Sequence, residues 1–265
     1  MKKINSPSNP IIKEVKGLYK KRERWNKKLF LIEGVKIVEE CIKWNIEPEY
    51  IFFSNDLFKT TGGERLFNEI KKYDHKLINL PNRLLKDISD TKNPQGILAV
   101  LNFNDIDFRV ILEKKDKFII ILDEIQDPGN MGTIIRTADA FGASGVVLTP
   151  NCVDIYNPKV VRSTMGSLFH IPIAQVEDKI QLIEELKNKH VKIYATSLES
   201  ANYVYDIDFR RDFALVIGNE SKGISQQILD LADNIVKIPI MGNAESLNAA
   251  IASSIIMYET VRQRS

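Results

Sequence analysis

Cysteine and histidine are scarce in this sequence: there are two of the first, Cys41 and Cys152, and three of the second, His75, His170 and His190. None stands at metal-ligand spacing, and no Ser/His/Asp or Cys/His order emerges. Neither a metal centre nor a hydrolase-type nucleophile is therefore expected. Two distant cysteines read as reduced thiols rather than a disulfide, which points to the cytosol. Apolar runs fall short of the roughly 20 residues that span a bilayer. The opening Met1-Lys-Lys-Ile-Asn-Ser-Pro lacks the apolar stretch of a signal peptide, so no membrane role is expected. Gly-x-Gly-x-x-Gly is missing, as is an acidic ribose ligand at its offset, and this disfavours a dinucleotide-dependent dehydrogenase. Gly-Lys-Ser/Thr is missing too, so there is no phosphate P-loop.

An excess of one charge is also lacking overall, at net +2, but the distribution is uneven. Residues 1–28 hold ten Lys and Arg against Glu14 and Glu23, a local +8 that leaves the remainder net negative. Lys13, Lys20, Lys21, Arg22, Arg24 and Lys27, with Tyr19 and Trp25 among them, could grip phosphates and stack on bases. A solvated helix face accounts for the same charges equally well.

A chain of 265 residues suggests one large domain or two of ordinary size. After Asn9-Pro10, the stripe Ile11, Ile12, Val15 and Leu18 predicts a helix over 11–22. Strands are expected at 30–32, 50–53, 77–80 and 96–101, with helices at 34–44, 64–72 and 84–88. This is a small α/β domain over 1–105. Residues 106–117, with Asp105 before them and the cluster Glu113-Lys-Lys-Asp-Lys117 within, read as a linker. Over 118–265 the alternation strengthens. Strands are expected at 118–122, 145–148, 171–174, 191–195, 213–217 and 235–238. Helices at 132–141, 178–189, 224–232 and 247–262 separate most of them. Near-continuous apolar strands between helices imply a parallel sheet covered on both faces. Such sheets bind ligands beyond the carboxyl ends of their strands.

Three polar loops fall at such ends. Asp127-Pro-Gly-Asn130-Met-Gly132 opens a helix, with Asn130 a candidate cap and Arg136 within that helix. Capping plus a salt-bridged arginine is its structural alternative. Gly218-Asn-Glu220-Ser-Lys-Gly223 follows a buried strand; Gly218 can let a flat ring approach the backbone, and Glu220 could orient Arg136 or a substrate hydroxyl. Ile238-Pro-Ile-Met-Gly242-Asn-Ala-Glu-Ser246-Leu247-Asn248 ends a strand at Pro239 and permits a tight loop at Gly242. Ser246 is then a candidate cap for the final helix, and Asn248 could face the cleft. Together they suggest a small-molecule site made largely of backbone, with one arginine aimed into it.

These three blocks resemble the signature motifs of the SpoU (TrmH) family of RNA ribose 2′-O-methyltransferases, within the SPOUT superfamily. The likeness lies at Asn130, Gly132 and Arg136, at Gly218, Asn219, Glu220 and Gly223, and at Ile238, Pro239, Gly242, Ser246, Leu247 and Asn248. The first half is similar to the family's substrate-binding domain at Phe30-Leu-Ile-Glu-Gly34 and Val38-Glu39-Glu40. The family often has Met where Ile240 stands, a modest apolar change. The resemblance implies a deep trefoil knot in the second domain and a first domain like small ribosomal RNA-binding proteins. It also implies S-adenosylmethionine (SAM) held at Thr196, Gly218, Ile238, Gly242 and Leu247, and a homodimer completing each site. Arg136 would be the central catalytic group, with Asn130, Glu220, Ser246 and Asn248 orienting it or the ribose. A guanidinium is a poor base and a good clamp for an alkoxide or phosphate. The two-domain layout favours large-subunit (23S) rRNA; tRNA methylation and a non-catalytic role in ribosome assembly are the alternatives.

Overall fold

In the computed structural model, which describes residues 1–265, the predicted alternation resolves into two units. One comprises residues 1–104 and 154–169, the other 105–153 and 170–265.

The first unit begins with β1 (Lys2–Lys3), α1 (Pro10–Gly17) and α2 (Lys21–Lys27). There follow β2 (Leu29–Glu33), α3 (Val35–Lys43), β3 (Pro48–Phe53) and α4 (Gly63–Ile70). Then come β4 (Leu77–Asn79), α5 (Asn82–Asp87) and β5 (Ile97–Asn102). The sheet order is β1-β4-β3-β5-β2, with β2 and β3 antiparallel to β5 and the other pairs parallel. Both faces are buried, which is why these strands read as unbroken apolar runs rather than alternating ones. Leu29, Leu31, Phe52, Leu98 and Val100 face one core with Ile12 and Val15 of α1. Phe30, Ile32, Ile51, Phe53 and Ala99 face the other with Val38, Cys41 and Leu66.

The helix expected over 11–22 is two helices. Asn9 caps the first through its side chain and Pro10 opens it, and the helix ends at Gly17. The Leu18 carbonyl is taken by the Arg24 guanidinium at 2.7 Å, so Arg24 folds back across the break. Arg24 is 2 % exposed. Its guanidinium binds the Asp154 carboxylate through Nε at 3.0 Å and also through Nη2, while Trp25 Nε1 donates to the other carboxylate oxygen at 3.1 Å. Removing one member of a buried pair costs about 3–5 kcal/mol because the survivor is left charged and dry.

The second unit starts at Asp105 and takes in the whole expected linker. There α6 (Arg109–Leu112) buries Ile111 and Leu112 in this unit's core, so the segment 106–117 is part of the fold, not a tether. β6 (Phe118–Asp123), α7 (Pro128–Ala140) and β7 (Gly145–Leu148) follow. The chain then contributes residues 154–169 to the first unit, with α8 (Pro158–Thr164) capped by Asn157. Tyr156 stacks there on Phe103 (3.8 Å, 22°), and Val161 enters the core. The second unit resumes with β8 (Ile173–Gln175), α9 (Lys179–Asn188), β9 (Lys192–Thr196) and the short β10 (Asn202–Tyr203). It closes with β11 (Phe213–Gly218), α10 (Gln226–Leu229), β12 (Asn234–Lys237) and α11 (Ala249–Arg264). The seven strands run in the order β10-β12-β9-β11-β6-β7-β8, every pair parallel. Ile119, Ile121, Ala195, Ala214 and Val216 pack on one face with α9; α11 packs on α7 and β11. No helix is long and apolar enough to cross a membrane.

Candidate active site

The three polar loops emerge together at the carboxyl ends of the central strands. α7 is capped by Asp127, whose Oδ1 accepts the Asn130 amide at 2.7 Å, so Asn130 sits in the first turn and is not itself the cap. This leaves the Asn130 side chain free to act elsewhere. It donates to Glu220 Oε1 at 2.9 Å and accepts from Asn248 Nδ2 at 2.9 Å. Asn248 in turn caps α11, its Oδ1 accepting from the amides of Ala250 (2.9 Å) and Ile251 (3.3 Å). Asn248 is thus the cap expected of Ser246, which is exposed.

The polarity of this relay is fixed from both ends. The α11 amides need the Asn248 oxygen, so its NH₂ must point at Asn130. The Asn130 oxygen then faces Asn248, and its NH₂ meets the one partner that can only accept, the ionised Glu220. Glu220 also accepts the amides of Gln126 (3.3 Å) and Asp127 (3.2 Å). Partial burial works against its charge, but these donors outweigh it and hold the carboxyl below its ordinary 4.5. Glu220 therefore cross-links the first and second loops. It makes no hydrogen bond or ion pair with the Arg136 of its own chain.

Gly218 shows why its position excludes a side chain. A Cβ there would lie 2.4 Å from the backbone of both Gly223 and Ile224. The close approach expected of a ligand ring is made by the chain itself. Asn219 and Gly223 exchange two backbone hydrogen bonds at 2.9 Å, folding 219–223 into a tight loop over the strand end. Asn219 Nδ2 ties this loop to the Glu124 carbonyl at 2.8 Å.

Beneath it lies a network that sequence reading missed. Asp123, fully buried at the end of β6, accepts from Lys179 Nζ (2.7 Å), Thr149 Oγ1 (2.9 Å) and the Ser225 amide (2.7 Å). Burial alone would raise its pKa, yet these donors lower it. Burial likewise disfavours the Lys179 ammonium, but Asp123 and Glu124 raise its pKa. One aspartate thus joins the ends of β6 and β7 to the start of α9 and to Ser225, two residues past the 219–223 loop. The available signal was the carboxylate pair Asp123-Glu124 closing the apolar run that begins at Phe118.

A cleft of about 730 Å³ opens beside these loops. Thr196, Gly218, Ile238 and Leu247 line it, as do Glu220, Ser246 and Asn248; Gly242 lines an adjoining recess. Its size lies in the range of about 300–1,000 Å³ typical of small-ligand sites. Ile217, Val236, Ile238 and Leu247 offer apolar walls. Glu199, Glu220 and Glu245 bring negative charge, and Lys222 and Lys237 positive. This suits a flat ring on one side and a zwitterionic, net cationic tail on the other. Arg136 does not line the cleft; it is exposed on α7 and makes no hydrogen bond or ion pair.

In the first unit, Lys13, Lys20, Lys21, Arg22 and Lys27 are exposed, Lys27 bonding Glu14 at 2.7 Å. Arg24 is withdrawn from this set by its pairing with Asp154. The two aromatics expected to stack on bases are committed to the fold as well. Trp25 packs edge-on to Phe103 at 5.2 Å, and the Tyr19 hydroxyl donates to the Ile88 carbonyl at 2.7 Å.

Known proteins share both halves. Residues 117–258 match the SpoU rRNA Methylase family, and residues 9–99 match the MRM3-like substrate binding domain. The 23S rRNA (guanosine(2553)-2′-O)-methyltransferase RlmP of Bacillus subtilis is 35 % identical over 258 residues, 97 % of this chain and 98 % of that one. An rRNA methyltransferase from Sinorhizobium meliloti superposes with a TM-score of 0.87 at 30 % identity, covering 98 % of this chain and 97 % of its own. The SpoU methyltransferase AviRb from Streptomyces viridochromogenes, solved in complex with the cofactor AdoMet, gives 0.86 at 29 %, covering 97 % and 99 %. With its three loops joined through Asn130, Glu220 and Asn248 and its whole length shared with such enzymes, the chain belongs to the SpoU rRNA methylase family.

Proposed function

We propose that this protein transfers a methyl group from SAM to a ribose 2′-hydroxyl of large-subunit rRNA. The observation that carries the reading is the Asn130–Glu220–Asn248 relay, which docks the three motif loops around one cleft of fitting size and charge. When bound, SAM supplies an electrophilic methyl group on a sulfonium centre. The protein's own task is to place the hydroxyl and favour its loss of a proton. Thr196, Gly218, Ile238 and Leu247 hold the cofactor's adenosine part, and the neighbouring Gly242 leaves room for the loop beside it. The carboxylates lining the cleft complement a cationic ligand. Arg136, a permanent fork-shaped charge without an intramolecular partner, clamps the phosphate beside the target ribose and stabilises developing alkoxide charge. Ser246 and Asn248, on the cleft wall, orient the ribose.

Because Arg136 stands outside the cleft of its own chain, a homodimer completes the site. α11 carries an exposed apolar stripe suited to this: Ile251, Ile255 and Tyr258, at 52 %, 38 % and 59 % exposure. A trefoil-knotted path in the second unit and a cytoplasmic site of action, where ribosomes assemble, complete the reading. RNA is gripped through phosphates by Lys13, Lys20, Lys21, Arg22 and Lys27.

The test is incubation with methyl-labelled SAM and unmodified rRNA, beside tRNA and an Arg136→Ala control. Alkali-resistant label at one rRNA position, lost in the control, is expected. Label in tRNA alone would overturn the substrate. Absence of SAM binding would overturn the enzyme class.

A further inference from the structure

The face beside the cofactor cleft carries an aromatic pair that neither the core nor the relay uses. Tyr203 and Tyr205 stack with ring centroids 5.2 Å apart at 14°. Tyr205 is 56 % exposed, and neither phenol hydroxyl has a protein partner. Lys237 Nζ lies 4.9 Å from the Tyr203 ring centroid and pairs with no carboxylate. Tyr203 and Lys237 meet by sheet register, because β10 and β12 pair Tyr203 with Lys237. β10 is held further by Ser200, whose hydroxyl donates to the Ile235 carbonyl at 2.5 Å and accepts the Asn202 amide at 3.0 Å. Buried Val204 anchors the turn that presents Tyr205. The pair is thus built on a sheet edge and not on a free loop.

Tyr203 and Lys237 line a recess of about 290 Å³. This recess adjoins the cofactor cleft: Leu198, Lys237, Ile238 and Ile240 line both. An exposed ring face beside an ammonium with no carboxylate partner matches the two parts of a nucleotide, a flat base and an anionic phosphate.

We propose that Tyr205, backed by Tyr203 and Lys237, is a stacking platform for an unpaired base of the RNA substrate next to the nucleotide being methylated. The proposal rests on the RNA methyltransferase reading and adds to it a single-strand requirement beside the target. A ring face accepts any base, so this platform holds an unstacked nucleotide in place, and the choice of sequence lies elsewhere.

The test uses the full chain and a fluorescein-labelled ten-nucleotide RNA, single-stranded or annealed to its complement, at fixed salt. Tyr205→Ala is expected to weaken single-strand binding about 5- to 150-fold, the range one stacked base supplies. Duplex affinity and calorimetric SAM binding should stay within about twofold. Tyr205→Phe should bind like the unaltered protein, since stacking needs the ring and not the hydroxyl. Equal loss on both RNAs, or no loss, overturns the platform. So does a changed sedimentation coefficient with unchanged RNA affinity, which would assign the rings to a protein contact. Unaltered protein that binds single strands in a Tyr205-dependent manner but binds no SAM would sink the methyltransferase reading and leave the platform standing.

Discussion

Glu220 stays charged at a partly exposed position because four donors converge on it: Asn130, Gln126 and Asp127, and an amide of its own backbone. Its depressed pKa carries a definite sign. The stabilisation is fully present above the ordinary value of 4.5 and is lost as pH falls through the lower folded value. Glu220→Gln removes the charge and turns one acceptor oxygen into a donor facing a donor. We expect loss of one net hydrogen bond, about 1 kcal/mol, or roughly fivefold in SAM affinity, measured by calorimetric titration at neutral pH. Unchanged affinity would mean that the relay does not hold the loops. Arg24 shows the limit of reading single residues. In the sequence it is one cation among ten, yet it alone of the six assigned to RNA is buried, because Asp154 arrives from 130 residues away.

Among the elements, three helices start by chemistry that can be read locally. Asp127-Pro128, Asn157-Pro158 and Asn9-Pro10 each place a side-chain cap before a proline whose missing amide costs nothing. The strand-to-loop junction at Gly218 is less forgiving. Gly218→Ala would drive a methyl group against backbone on both sides of the Gly223–Ile224 bond, where no side chain can swing away. We expect about 1–3 kcal/mol lost in thermal or urea denaturation and more than about tenfold in SAM affinity, because the displaced loop forms the cleft wall. Wild-type affinity in this variant would show that the loop relaxes freely. The glycine itself was evident in the sequence, but its reason was not: the neighbour it accommodates is five residues on and folded back.

For the molecule as a whole, the strand pattern told the longer strands but not the two-residue β1 and β10, since only strands covered on both faces need apolar residues throughout. It did not tell that residues 154–169 belong to the first unit, nor that 106–117 belongs to the second unit's core. Both segments are short and polar enough to pass for loops, and their few apolar anchors, Val161 in one and Ile111 and Leu112 in the other, find partners distant in sequence. The apolar stripe of α11 bears on assembly. Ile255→Lys puts a charge at its centre and, on the homodimer we propose, it should leave a monomer in analytical ultracentrifugation, since burying an unpaired charge opposes association. A dimer unchanged in this variant would move the interface elsewhere.

The sequence alone determined the α/β class, most of the longer strands and helices in their chain order, and the three loops that line the cleft. These follow from local rules: apolar periodicity, capping stereochemistry and the conformational freedom of glycine. Only the tertiary structure decided which polar side chains meet. It joined Asn130 to Asn248 across 118 residues and Arg24 to Asp154 across 130, set Lys179 on Asp123, and left Arg136 without a partner. The physical reason is that a hydrogen bond or ion pair depends on distances of about 3 Å between groups whose separation along the chain carries no information. Identical side chains then become a buried strut, as at Arg24, or an exposed charge without a partner, as at Arg136, according to what the fold brings beside them.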